Sequence, residues 1–362
     1  MAIGVVMIAS ASAGIDRSPF DGAIWKSLYG RQMILAGVGF VVMLAVGHIG
    51  GDWFRWSAGL LQPSMLIIFL AILLLSATLW TPLGMELNGA RRWMLLGPPG
   101  MGFHIQSSEA AKVGVILFLA AYGSSINSIT GEPGFRHFWR GFFPVCLLLG
   151  VCIALVGVED FGTAGLLAAA AGGMMLVAGA KLLHLFIALL PGIAGFLYLL
   201  FAEPYRLARL TGFRDYWNQA DGLGYHPIQS LATIVSGGLT GRGLGYGIQK
   251  YGYLPQSRSD FIFAVICEET GLIGAAVVLG LFGVLIGFGI RAVRRSDDEY
   301  VRLLAFGITL MIALQAIINV AVVTVMVPTK GIALPFVSAG GSGLVVLCAM
   351  TGLLAWCVRK AG

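Results

Sequence analysis

The sequence is short of charge. Asp, Glu, Lys and Arg make up 11% of its 362 residues against 58% hydrophobic residues, with a mean hydropathy of +0.88, whereas soluble domains carry about 25% charged residues. So little charge cannot solvate a conventional surface, which excludes a water-soluble globular enzyme. Cysteine is scarce as well: Cys146, Cys152, Cys267, Cys348 and Cys357 all lie inside apolar stretches, with no C-x-x-C and no metal-ligand spacing. They read as small core hydrophobes rather than a disulfide framework or a zinc site. No run of Lys or Arg resembles a nucleic-acid arm, and the net charge of +6 fits lipid headgroups or phosphates instead. A nucleotide-cradling glycine run must follow a strand and open a helix in a soluble domain. "SGGLTGRGLGYGIQK" (236–250) has neither context, so its glycines read as tight turns in a loop folded back on the membrane.

Long apolar runs are what the sequence has. A bilayer core of about 30 Å takes roughly 20 apolar residues per helix, and about ten segments qualify: 1–13, 32–49, 60–80, 109–123, 139–156, 161–178, 182–201, 261–290, 303–326 and 340–358. The predicted fold is all-α, a polytopic integral membrane protein forming a single transmembrane domain over 1–362, with a large extracytoplasmic loop at 202–260 before helix 8. The first segment ends in "MIASASAG", whose small residues superficially suggest a signal-peptidase site. It is read as retained, because the other segments need it as a packing partner.

Spanning helices alternate in direction, so the connections fall into two sets. One set (50–59, 124–138, 179–181, 291–302 and the tail from Arg359) is short and carries Arg55, Arg136, Arg291, Arg294, Arg295, Arg302, Arg359 and Lys360, which points it to the cytoplasm. The other (14–31, 81–108, 157–160, 202–260 and 327–339) holds nearly all the unusual residues. Chemistry is therefore expected on the outer face of the cytoplasmic membrane, which argues against ATP or NAD as substrates.

Several constellations lie on that face. In "SSEAAK", Glu109 and Lys112 sit at i and i+3 and share a helix face; an interfacial ion pair, with Ser107 or Ser108 as cap, accounts for them as well as function does. Asp160 precedes a Gly/Ala-rich helix and Asp260 precedes a long apolar one, and either could be a cap or a functional carboxylate. Glu268 and Glu269 lie about 12–14 Å farther along that second helix, where ionisable residues pair or line a wet cavity. Gln315 and Asn319 share a face of the ninth segment, and Lys330 adds a cation from a Gly/Pro-rich loop. A carboxylate partly desolvated at the membrane edge suits acid–base work on a sugar hydroxyl, and fixed cations suit a departing pyrophosphate.

The motifs "NGARRW", "IQSSEAAK", "EDFGTA", "EPYRLARL", "GYHPIQSLATIVSGGLTGRGLGYGIQKYGYLPQSRSDFIFAVICEETGLIG" and "PTKGIALPFVSAGGSG" occur in order between Asn88 and Gly343. In these the chain resembles the SEDS proteins, the FtsW/RodA/SpoVE group, and "PTKG" looks more like the FtsW branch than the RodA branch. The resemblance implies a ten-helix inverting peptidoglycan glycosyltransferase that polymerises lipid II beside a class B penicillin-binding transpeptidase and other divisome or elongasome membrane proteins. It places the catalytic role on Asp260 and functional roles on Glu109, Lys112 and Lys330. Arg91, Arg92 and Arg242 are further pyrophosphate candidates, and Asp160, Glu268, Glu269 and Ser338 are supporting residues. No metal ligands and no required cofactor are assigned, and a divalent cation is left open. The chain departs from the family pattern at Ser107, Glu159, Tyr216, His226, Arg258 and Gly343. A lipid II flippase and a non-catalytic scaffold are the competing readings.

Overall fold

A computed structural model describes the chain except for residues 13–27, 56–61, 88–89, 97–102, 131–133, 203–207, 209–211, 221, 223 and 252. The residues after Ser12 that resemble a cleavage site, and most of "EPYRLARL", lie outside the described residues. Every predicted apolar segment contains a helix. These are α1 (Ala2–Ser12), α2 (Leu28–Ile49), α3 (Pro63–Trp80), α4 (Ser107–Thr130), α5 (Phe143–Glu159), α6 (Phe161–Val177) and α7 (Leu182–Ala202), followed by α9 (Ile262–Arg295), α10 (Glu299–Val323) and α11 (Ser342–Ala361). An additional helix, α8 (Tyr225–Gly237), lies within the long 202–260 connection. Helices α2, α3, α9, α10 and α11 are each long and apolar enough to cross a membrane. Leu183, Phe186 and Leu190 of α7 and Leu281, Val284 and Phe288 of α9 are exposed, as lipid-facing side chains are. The chain is a multi-pass membrane protein.

The chain forms two compact units. The first comprises Met1–Val38, Leu200–Leu285 and Ala313–Gly340; the second comprises Gly39–Leu199, Ile286–Ile312 and Gly341–Gly362.

Within the first unit, α9 is broken at Gly271, whose φ of 69° and ψ of −168° are open only to glycine. A break in a helix frees backbone groups that must bond elsewhere. Here the glycine loop after α8 takes four of them. Leu272 N and Ile273 N donate to the carbonyls of Gly238 and Leu239 at 3.0 and 3.3 Å, while Arg242 N and Gly243 N donate to the carbonyls of Glu268 and Glu269 at 2.9 and 3.0 Å. The loop is thereby fixed to α9 by backbone bonds, with Ser230 Oγ of α8 anchored on Val323 O at 2.7 Å.

The second unit contains a small sheet that the sequence reading treats as loop. Strands β1 (Gly84–Leu87), β2 (Ala90–Leu96) and β3 (Phe103–Gln106) pair antiparallel in that order, with Leu87 opposite Ala90 and Trp93 opposite Gln106. Strand β3 runs directly into α4, so the sheet sets where that helix begins. In the same unit Arg55 bonds Asp52 at 2.7 Å and also pairs with Asp298, and Lys360 reaches Asp52 at 2.6 Å. These contacts join the 50–59 and 291–302 connections to the C-terminal tail, three stretches assigned to one face by the alternation of spans. Burial raises the Asp298 carboxyl, but the Arg55 hydrogen bond and charge outweigh it and hold the group below its ordinary value. Asp52 is lowered against the same burial penalty by Lys360 and Arg55.

Candidate active site

In the first unit the candidate groups gather at the start of α9. Asp260 is half-buried in the turn before the helix, and a Cβ added at Gly331 would lie 3.0 Å from its Oδ2. The Lys330–Gly331 backbone therefore packs directly against the Asp260 carboxylate, which a residue with a side chain would crowd. The two stretches are tied together several times. Ser338 Oγ donates to Ser259 O at 2.6 Å and accepts from Leu334 N at 2.7 Å, and Ala339 N donates to Arg258 O at 2.9 Å. Asn319 Nδ2 donates to the carbonyls of both Asp260 and Ile332, at 2.9 and 2.7 Å, and Gln315 Nε2 donates to Ala333 O at 3.0 Å. His226, at a position where the family pattern has Gln, stacks on Phe261 with centroids 6.1 Å apart.

Glu268 and Glu269 are fully buried one to two turns into α9, and they hold the glycine loop. Glu268 Oε1 accepts from Ile248 N at 2.9 Å and Gln249 N at 3.4 Å; Glu269 Oε2 accepts from Gly245 N at 3.2 Å, and both its oxygens accept from Ser10 Oγ at 2.7 Å. Arg242 is exposed on this loop, with Nε donating to Ser236 O at 3.3 Å.

The remaining candidates belong to the second unit. Lys112 is 3% exposed and donates to Glu109 Oε1 at 2.7 Å. Glu109 packs on Gly343, where an added Cβ would meet its Cδ at 3.3 Å, so a departure from the family motif falls opposite a functional candidate. Asp160 caps α6, accepting Thr163 N at 3.0 Å and Thr163 Oγ1 at 2.8 Å, with Arg92 3.7 Å away. Glu159, another departure, accepts Arg91 N at 2.8 Å through its side chain and Arg92 Nε at 2.8 Å through its carbonyl, and so anchors β2. Arg91 and Arg92 line a recess with Ser107, Ser108, Glu159 and Asp160. Among the described residues, no group of three or more His, Cys, Asp or Glu side chains is arranged to hold a metal.

Gln315 and Asn319 are polar residues in an apolar segment, to which no motif assigns a place in the site. Their i, i+4 spacing on a membrane helix was the available signal. The carbonyl partners they reach could not be read from the sequence.

The FtsW/RodA/SpoVE family model, described as "Cell cycle protein", matches residues 1–361. The chain belongs to this family. A relative from Geobacter sp. (strain M18), named as a probable peptidoglycan glycosyltransferase FtsW, is 38% identical over 99% of this chain and 94% of its own length. The stage V sporulation protein E of Bacillus subtilis (strain 168) is 36% identical over 98% and 92%. Among solved structures, a chain of a peptidoglycan synthase complex that coordinates polymerization and crosslinking superposes with a TM-score of 0.72 at 26% identity, covering 99% of this chain and 96% of that one. The rod shape determining protein RodA of Thermus thermophilus shares the fold, with a TM-score of 0.65 at 24% identity, covering 99% and 93%. The names of these relatives cover peptidoglycan glycosyl transfer and sporulation, and each relative aligns across nearly the whole chain.

Proposed function

We propose that this chain is a peptidoglycan glycosyltransferase that polymerises lipid II into glycan strands by inverting transfer at the outer face of the cytoplasmic membrane, in division or cell-shape elongation. The seat of Asp260 carries this reading. The carboxylate stands at the end of a membrane helix, half-buried, with its backbone fastened on one side and the Lys330–Gly331 loop against it. A fixed position is what general-base catalysis needs.

In the proposed step, the 4-hydroxyl oxygen of the acceptor sugar attacks the anomeric carbon of the donor. Its proton passes to Asp260 while the bond from that carbon to the lipid pyrophosphate breaks, and the electron pair leaves with the pyrophosphate. One displacement converts an α-linked donor into a β-1,4 bond without a covalent enzyme intermediate. Lys330, Arg91, Arg92 and Arg242 are the cations assigned to pyrophosphate, with Lys112 acting as one half of its pair with Glu109. A class B penicillin-binding transpeptidase is the assigned partner, supported by the likeness to the synthase complex.

Purified protein with lipid II and its cognate transpeptidase is expected to make glycan chains. Asp260→Asn, which preserves shape, should lose about 100- to 10,000-fold in rate, the usual contribution of a general base. Chain synthesis by this variant at the wild-type rate would remove Asp260 from the mechanism.

A further inference from the structure

The carbonyl of Asp260 lies outside the helical ladder that follows it. The first backbone donors of α9, Ala264 N and Val265 N, go to Phe261 O at 3.0 and 3.4 Å, so Asp260 O needs a partner from elsewhere. It finds the side-chain amide of Asn319 in α10, and the same nitrogen holds Ile332 O, the residue after Gly331. Asn319 is 1% exposed, and its buried Oδ1 has no hydrogen-bond partner among the described residues. A buried carbonyl oxygen left unsatisfied is costly, and an apolar residue would fill this membrane helix without that cost. What Asn319 supplies in return is the NH2 group and the two carbonyls it bridges.

We infer that Asn319 is a positioning residue for Asp260: its amide clamps the backbone before α9 to the backbone beside Gly331, and thereby fixes the carboxylate against the Lys330–Gly331 loop. The inference rests on the glycosyltransferase reading above, with Asp260 as base. The neighbouring ties act elsewhere along the same two stretches. Ser338 and Ala339 hold Ser259 and Arg258, and Gln315 holds Ala333; none of these contacts takes the carbonyl of Asp260 itself. Losing the Asn319 clamp frees both sides at the place where the carboxylate meets Gly331, and a displacement of the order of 1 Å costs about 100-fold in rate.

The test is steady-state polymerisation of lipid II by the full chain with its transpeptidase, alongside thermal melting in the same detergent. Asn319→Ala should lower kcat about 100-fold while KM for lipid II stays within about twofold, because substrate binding is not what the clamp provides. Asn319→Gln keeps the amide donor one methylene farther out and should recover part of kcat. Gln315→Ala, which removes a tie from the same helix to the same loop, should change kcat far less. A normal kcat in Asn319→Ala would overturn the inference. So would a parallel collapse of melting temperature and kcat in the Ala and Gln variants alike, which would make the role structural only. If Asn319→Ala does not fold, Asn319→Gln decides: a reduced kcat with native melting supports the clamp, and a wild-type kcat refutes it. Failure of the wild-type protein to make any glycan would instead count against the glycosyltransferase reading, and normal synthesis by Asp260→Asn would count against its base.

Discussion

Gly331→Ala probes the contact with Asp260 using one methyl group. The added carbon would sit 3.0 Å from Asp260 Oδ2 and 3.8 Å from its Cγ, whereas carbon and oxygen ordinarily approach to about 3.3–3.6 Å. The carboxylate must therefore retreat by about 0.3–0.6 Å. If 1 Å of misplacement costs about 100-fold, this retreat should lower kcat roughly fourfold to fifteenfold, equivalent to about 0.8–1.6 kcal/mol of barrier. Stability should change little, because Gly331 is exposed and its φ is not in the left-handed region. The assay is the initial rate of glycan formation from fluorescent lipid II, with melting measured on the same sample. Gly280→Ala, where nothing lies within 4 Å of the added carbon, is the matched control and should polymerise normally. An unchanged rate in Gly331→Ala would refute the contact's role, and a loss of rate matched by a loss of melting temperature would assign the effect to folding.

Gly271→Ala places a Cβ 2.3 Å from Leu239 O and 2.4 Å from Gly241 N, at a φ of 69°; with backbone on both sides it should cost at least about 2 kcal/mol, read as faster hydrogen exchange at Arg242 and Gly243. Lys112→Met leaves Glu109 without its buried cation and should destabilise by about 3 kcal/mol, and adding Glu109→Gln should restore part of that loss in a double-mutant cycle by chemical denaturation. Arg55→Ala removes a pair whose members are about a third exposed, so solvent screening holds its effect to under about 1 kcal/mol at neutral pH. Asp52 and Asp298 titrate lower in the folded chain than their ordinary 3.8, so this stabilisation is fully present above that value and disappears as pH falls through the depressed folded values. Melting curves of wild type and Arg55→Ala should therefore converge in acid, and in high salt.

The spans were legible because a bilayer imposes length and apolarity on each helix, and every predicted segment holds one. The sheet was not, although Asn88–Gly89, which falls between the paired residues Leu87 and Ala90, is the dipeptide most typical of a two-residue hairpin. Within a chain dominated by apolar runs, strands of four to seven residues leave only a faint alternation. Helix α8 was hidden for a related reason, since its 13 residues are too few for a span. The break in α9 leaves no mark in hydropathy, because "ETGLIG" continues an apolar run. The acidic residues at Glu268 and Glu269 were conspicuous, but their partners are backbone N–H groups about 20 residues away and the hydroxyl of the distant Ser10, none of which a local side-chain pattern pairs with them. Asp260 stood out by its position as a cap or a functional carboxylate, and only the motif separated the two readings. That a side chain at its neighbour across the loop would crowd the carboxylate became evident only from the distance to Gly331.

The break at Gly271 also bears on how the protein meets membranes of different thickness. The stretch from Phe261 to Glu269 is buried residue after residue, while Leu272, Ile273, Val277, Leu281, Val284 and Phe288 beyond the break are exposed. A helix adjusts to a thicker or thinner bilayer by tilting, and an unbroken α9 would carry that tilt through to the turn holding Asp260. With the hydrogen-bond ladder interrupted and its ends taken by the glycine loop, the lipid-facing part can tilt while the buried part keeps its own anchorage. The same division predicts an uneven tolerance to substitution along one helix: apolar exchanges at the exposed positions beyond Gly271 need satisfy only lipid, whereas those before it, and those at the buried Ala275, Val278 and Phe282 beyond it, must also satisfy a packed interior.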